Sequence, residues 1–278
     1  FELYKNIPQY KILNPLMTLS EFKIIFFWEY AHRMLGRFIG LFFLLPLLYF
    51  HFFTKINRGE VVQYYMILFL IVLQGIIGWY MVQSGLVNDV TVSHYRLSLH
   101  LSGAILILSI LFWKVKNLKE GKNKKFFILR KGNMPFILLI LLIFIQVIFG
   151  ALVSGLDAGK IYQTWPLMGD NIFPDDSPIN NFYSIVDLNN HSLVQFYHRN
   201  IAYLISLYII FLALKIFIHK KQSLYKPISI LIFIVAFQVI LGIFTLLSNL
   251  NIVIAAAHQI SSVILILSSI NLYYLTIK

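Results

Sequence analysis

Seven runs of about twenty or more mostly apolar residues divide this chain, at about 24–54, 62–82, 93–113, 134–156, 194–218, 227–248 and 252–276. Each is long enough to cross a hydrocarbon layer of about 30 Å as a helix. In lipid every backbone polar group must be satisfied within the protein, which leaves only helices and closed barrels, and barrel strands are far shorter than these runs. The fold class is therefore an all-α polytopic membrane protein. With 59% hydrophobic and 12% charged residues and a mean hydropathy of +0.78, little polar surface remains for a soluble domain of 278 residues. The absence of cysteine excludes disulfides, thiolate metal sites and cysteine nucleophiles. The opening "FELYKNIPQYKILNPLMTLSEFK" has no apolar core of a secretory signal and predicts a polar loop or short interfacial helix.

Charge sets the expected orientation. Fourteen of the 23 lysines and arginines fall in the connections after the first, third and fifth spans, and Lys278 follows the last. The positive-inside rule turns these loops to the cytoplasm, which leaves residues 1–22, the "QSGLVNDV" turn, the long loop 157–193 and "SNLN" on the opposite side. The net charge of +12 is thereby explained by topology and anionic-lipid contact, with the lipid bilayer as partner and no nucleic acid required.

The spans repeat. "EYAHRMLGRFIGLFFLLPL" (29–47) corresponds to "QFYHRNIAYLISLYIIFL" (195–212), and "HYRLSLHLSGAILIL" (94–108) to "IVIAAAHQISSVILIL" (252–267). Between them "QGIIG" (74–78) matches "QVILG" (238–242), and a third such segment, "QVIFG", stands at 146–150. The pattern is a duplicated helical module: two pseudo-repeated sets of four spans, eight helices expected and seven present, with the eighth expected before Phe1. The division follows as 1–113 for the first bundle, 114–133 for a basic cytoplasmic linker and 134–278 for the second bundle with its outer-side lid 157–193.

His32, His100, His198 and His258 sit near one end of alternate spans. Two facing helices that each offer an imidazole at one depth can ligate a heme iron from both sides. Four residues after each His the residue is small (Gly36, Ala104, Ala202, Ser262), which leaves clearance for a flat macrocycle. Arg33 and Arg199 follow their histidines, Arg37 lies a turn further, and Arg96 shares a face with His100. Arginine suits the propionate carboxylates of a heme. His51 and His219 read as solvated, His94 as facing away from His100, and His191 as a loop residue that lines up with His198 if the helix extends outward. The copies differ at one position that matters chemically: Glu29 stands three residues before His32, Gln195 three before His198. Glutamine cannot exchange a proton, so the first pair reads as built for chemistry and the second for holding a cofactor. The bland alternative is that Glu29 only pairs with Arg33 or Arg37.

"FWEYAHRMLGRFIG", "HYRLSLHLSGA", "FGALVSGLDAGKIYQTWPLMGD", "VQFYHRNIAY" and "AAAHQ" together resemble the heme A synthase family, of its proteobacterial and mitochondrial type, over nearly the whole chain. The resemblance implies an eight-helix fold of two pseudo-repeated four-helix bundles, and oxidation of the C8 methyl of heme O to a formyl group through a hydroxymethyl intermediate, giving heme A for cytochrome c oxidase. It implies catalytic roles for Glu29, His32 and His100, with His32 and His100 on either side of heme O. It implies His198 and His258 as ligands of a resident heme b, with Arg33, Arg37, Arg96 and Arg199 binding the macrocycles. The implied partners are a heme O synthase, an electron acceptor that no motif identifies, and a further copy of the chain if it self-associates. The implied location is the bacterial inner membrane, or the mitochondrial inner membrane in a eukaryote, with both sites toward the outer side. Two rival classes remain, a di-heme b-type electron-transfer subunit and a heme-free transporter with parallel repeats.

Overall fold

The computed structural model describes residues 1–54, 56–85, 90–177 and 181–277. Lys55, four residues (86–89) of the "QSGLVNDV" turn, three positions of the long loop and Lys278 lie outside the described residues. Helices α1 (Leu19–Phe53), α2 (Arg58–Gly85), α3 (His94–Glu120), α4 (Met134–Gly155), α6 (His191–Ile218), α7 (Tyr225–Leu247) and α8 (Ile252–Thr276) carry the apolar runs, and α5 (Phe182–Ile185) is a single turn. Among the described residues seven helices are long and apolar enough to cross a membrane, as the apolar runs require.

Several helices start or stop away from the hydropathy boundary, each for a local reason. α1 begins at Leu19 because Thr18 forms a capping box: its hydroxyl accepts from the Glu21 backbone N–H at 3.3 Å, and the Glu21 carboxylate accepts from the Thr18 N–H at 2.8 Å. α3 runs on through "KVKNLKE" to Glu120, held by a Lys116–Glu120 pair at 3.1 Å one turn apart. α6 starts at His191, where the Asn190 side chain accepts from the Leu193 N–H at 3.0 Å. His191 is thus helical, two turns before His198.

The chain forms two compact units, Phe1–Ile107 and Leu108–Lys278, divided within α3. In the first, α1 packs on α2. In the second, α4 packs on α6 and α8, and α7 on α6 and α8, which closes a ring of four helices. Its core is built from stripes at helical spacing, Leu139–Ile143–Val147 on α4 and Ile205–Ile209–Leu212–Ile216 on α6. Lipid is as apolar as these side chains, so close packing rather than removal from water holds the bundle together.

The basic linker also makes specific contacts within the second unit. Lys124 inserts its ammonium at the C-terminal end of α8, donating to the carbonyls of Tyr274 (3.1 Å) and Ile277 and lying 4.4 Å from the centre of the Tyr274 ring. A cation there complements the negative end of the helix dipole. Trp113 Nε1 and the Asn117 amide in turn hold the Lys124 carbonyl at 2.9 and 3.0 Å. Burial pulls the Lys124 ammonium below its usual value.

Candidate functional site

The four histidines assemble as two pairs, one in each unit. His32 on α1 and His100 on α3 have ring centres 6.3 Å apart and planes at 73°. His198 on α6 and His258 on α8 have ring centres 6.4 Å apart and planes at 83°. A metal–imidazole bond is about 2.0–2.1 Å, and an imidazole nitrogen lies about 1.1 Å from its ring centre given ring bonds of about 1.33 Å. Two imidazoles on opposite sides of one ion therefore have centres about 6.2–6.4 Å apart. Both pairs meet that spacing. Among the described residues no group of three or more His, Asp or Glu side chains is placed to hold a metal ion. Each pair thus has the spacing of two imidazoles facing one ion.

Three of the four histidines meet a glutamine and a glycine from an adjacent helix. Gln74 on α2 donates to the His100 carbonyl and has Nε2 2.9 Å from His100 Nδ1. Gln146 on α4 donates to the His198 carbonyl at 2.9 Å, and Gln238 on α7 to the His258 carbonyl at 3.0 Å. Gly78, Gly150 and Gly242, each four residues after its glutamine, lie against the same three rings. The sequence contains this signal three times as Gln-x-x-x-Gly, yet read alone it marks only the repeat. Of the four small residues expected to give clearance, Gly36 faces open space, where an added Cβ would meet nothing within 4 Å.

The charged residues separate by environment. Arg33 pairs with Glu29 at 3.3 Å, with the side chains 45% and 58% exposed, so the salt bridge weighed from sequence is present. Arg37 donates to the Met34 sulfur at 3.4 Å. The Arg96 guanidinium lies over the Tyr80 ring, 4.7 Å from its centre. Arg199 is buried and donates to the carbonyls of Tyr162 (2.9 Å) and Leu167 (3.2 Å) in the long loop. Gln195, the counterpart of Glu29, donates to the same Tyr162 carbonyl at 2.9 Å. Glu29 and Gln195 therefore stand in unlike surroundings, one half-exposed and ion-paired, the other buried as an anchor.

His51, expected to be solvated, has its Nδ1 2.7 Å from the Tyr65 hydroxyl of α2. His219 is exposed, with Nδ1 2.9 Å from the Lys215 carbonyl.

The described residues of the loop 157–193 fold onto α6 of the second unit. Trp165 Nε1 donates to the Tyr203 hydroxyl at 2.9 Å, so the loop rests along Gln195, Arg199 and Tyr203, one stripe of α6. The Tyr162 hydroxyl reaches Asp175 at 2.6 Å and Asp176 at 3.0 Å. Burial, then the hydrogen bonds to these carboxylates, push the Tyr162 phenol above its usual value, and the same bond holds the Asp175 carboxyl down. Asp157 opens the lid with φ 55°, and the Trp165–Pro166 peptide is cis.

Four buried polar atoms gather on and opposite the first two turns of α6 without a hydrogen-bond partner: Gln146 Oε1, Gln195 Oε1, His198 Nδ1 and Arg199 Nε. Buried polar atoms are ordinarily satisfied, so orphans that cluster beside a paired-imidazole site fit a polar-edged ligand seated there. The spacing of the rings, the glycine slots beside them and the unpartnered Arg199 Nε suit a heme whose carboxylates meet that arginine.

Fold and site together define a multi-pass helical membrane protein with two paired-imidazole sites. Residues 1–270 match the COX15-CtaA family, cytochrome oxidase assembly protein. The chain is 47% identical over 272 residues to the heme A synthase of Pelagibacter ubique, covering 97% of this chain and 78% of that protein. It is 37% identical over 282 residues to the heme A synthase of Rickettsia felis (99% and 82%) and 40% identical over 281 residues to that of Wolbachia pipientis (98% and 76%). The chain belongs to the COX15-CtaA family.

Proposed function

We propose that this chain is a heme A synthase, which oxidises the C8 methyl of heme O to a formyl group in two successive two-electron steps, with the hydroxymethyl compound between them. The observation that carries the reading is the pair of imidazole sites, each spaced for one six-coordinate iron, of which only the first has a carboxylate one turn from its histidine. Family membership and relatives named for this activity support it.

In this reading His32 and His100 hold the substrate, heme O, from its two faces. Glu29, on the His32 face of α1, takes the protons released at the methyl carbon, and Arg33, 3.3 Å away, aims its carboxylate. Arg37 and Arg96 serve the substrate's propionates. His198 and His258 would hold heme b, with Arg199 on its carboxylate edge, and that heme, when bound, would supply one-electron relay. The lid, tied to α6 through Gln195 and Arg199, keeps water from this edge. Both sites lie toward the face opposite the basic loops, so the chain serves an inner membrane, bacterial or mitochondrial. A heme O synthase supplies the substrate and cytochrome c oxidase receives the product.

The test is to express the chain with a heme O supply and record its reduced-minus-oxidised spectrum and an acid–acetone heme extract. Heme b together with heme A or its hydroxymethyl precursor is expected. Two unmodified hemes would favour a di-heme electron-transfer subunit, and no Soret band at all a transporter.

A further inference from the structure

The three Gln-x-x-x-Gly segments have no part in the chemistry just described, yet each is spent on a different histidine. In all three the glutamine amide donates to the main-chain oxygen of the histidine across the helix interface: Gln74 to His100, Gln146 to His198, Gln238 to His258. In all three the glycine one turn further on lies against that histidine's ring. A Cβ built on Gly78, Gly150 or Gly242 would stand 2.8, 3.2 or 3.1 Å from the ring's Cε1. Helix packing alone does not demand this, because Gly75, beside Gln74, would accept a Cβ with nothing within 4 Å.

The two contacts constrain different things. A helical carbonyl has two lone pairs, one taken by the N–H four residues on, so an amide can use the other without breaking the helix. Gripping that oxygen fixes how the histidine's helix is turned and how far it is slid against its neighbour. The bare glycine then sets the sector into which the imidazole can swing. Two of the three amides are themselves secured, each in its own way. The Ser261 hydroxyl donates to Gln238 Oε1, whereas three residues after His100 stands Gly103, whose lack of a Cβ lets the Gln74 amide oxygen press in.

We infer that Gln-x-x-x-Gly is a ligand-positioning element, in which Gln74–Gly78, Gln146–Gly150 and Gln238–Gly242 hold the imidazoles of His100, His198 and His258 in the orientation an axial ligand needs. This rests on the reading of these histidines as axial ligands. Glutamine and glycine here are positioning residues and touch no reacting atom.

The second site gives the test, with membrane-extracted, heme-loaded full chain carrying Gly242→Ala, Gln238→Met or His258→Ala. The readouts are heme content, the low-spin electron paramagnetic resonance signal and the share of ferrous heme that binds carbon monoxide. For Gly242→Ala the crowded ring leaves the iron more often, and the carbon-monoxide-reactive share should rise about tenfold at unchanged heme content. Gln238→Met, similar in volume but without the amide donor, should likewise raise the carbon-monoxide-reactive share and lower the low-spin signal. Should Gly242→Ala fail to accumulate, Gln238→Met decides alone. A His258→Ala protein with the unchanged low-spin signal would overturn the ligand reading and this inference with it. A His258→Ala protein that loses the signal, beside glycine and glutamine variants that match the wild type, would overturn the positioning role alone.

Discussion

Replacing Glu29 by Gln separates a chemical role from a structural one, because the structure limits what the structural role can be worth. The carboxylate meets Arg33 at 3.3 Å across one helical turn, with both side chains about half exposed. Ion pairs of this kind contribute about 0.2–1 kcal/mol. If that pair were all that Glu29 does, its loss would slow formation of heme A by roughly 1.4- to 5-fold, taking the whole energy into the barrier. A group that accepts protons in the reaction contributes about 10²- to 10⁴-fold. The two ranges do not overlap. The assay is turnover of heme O to heme A by extracted pigment, normalised to the heme b spectrum, in Glu29→Gln, Arg33→Gln and the double variant. We expect Glu29→Gln to keep the heme b spectrum and lose at least about a hundredfold in turnover. Arg33→Gln, which leaves the carboxylate in place, should lose much less. A loss below fivefold in Glu29→Gln, matched by Arg33→Gln, would refute the catalytic assignment and leave a salt bridge.

Other expectations concern the lid and the linker. Tyr162, whose phenol is raised, contributes lid stability fully below its unfolded value of about 10 and loses it as pH climbs further, while Asp175, whose carboxyl is depressed, contributes above about 3.9 and loses it as pH falls. Proteolysis of the loop should therefore be flat between about pH 5 and 9 and accelerate above about 10, and Tyr162→Phe should abolish the alkaline acceleration. Arg199→Leu removes two charge-assisted hydrogen bonds to lid carbonyls, each worth about 1.5–3 kcal/mol, so lid cleavage at neutral pH should rise at least tenfold; unchanged cleavage would show that Gln195 alone suffices. Lys124→Met removes the cation from the end of α8, and, after allowing for the burial that ammonium already suffers, should lower stability of the second unit by about 1–2 kcal/mol. Trp113 fluorescence during denaturation reads this directly, and an unchanged midpoint would mean that the cap is energetically idle.

What could be read along the chain follows from the solvent. Lipid forbids unsatisfied backbone, so apolar runs of this length commit to helices whatever their neighbours do, and all seven were legible. The four histidines were legible for a related reason: an ionisable side chain at membrane depth is costly, and one recurring in register across a duplication marks a common purpose. The Glu29–Gln195 difference likewise needed only the repeat. Helix ends were less accessible to hydropathy, because the Thr18 capping box and the Lys116–Glu120 pair extend helices through polar sequence.

Contacts between helices were a different matter. Arg199 beside His198 reads as a heme partner, and only the packed structure shows two of its nitrogens already committed to the carbonyls of Tyr162 and Leu167. Lys124 reads as one basic residue among many until the fold brings it to the end of α8, some 150 residues away. The three Gln-x-x-x-Gly segments read as a repeat marker until helix rotation turns each of them onto a histidine. A helix's existence is decided by its own residues in lipid. Which of its faces meets which neighbour is decided by the packing of all the others, so the groups that orient the imidazoles appear only in the tertiary structure.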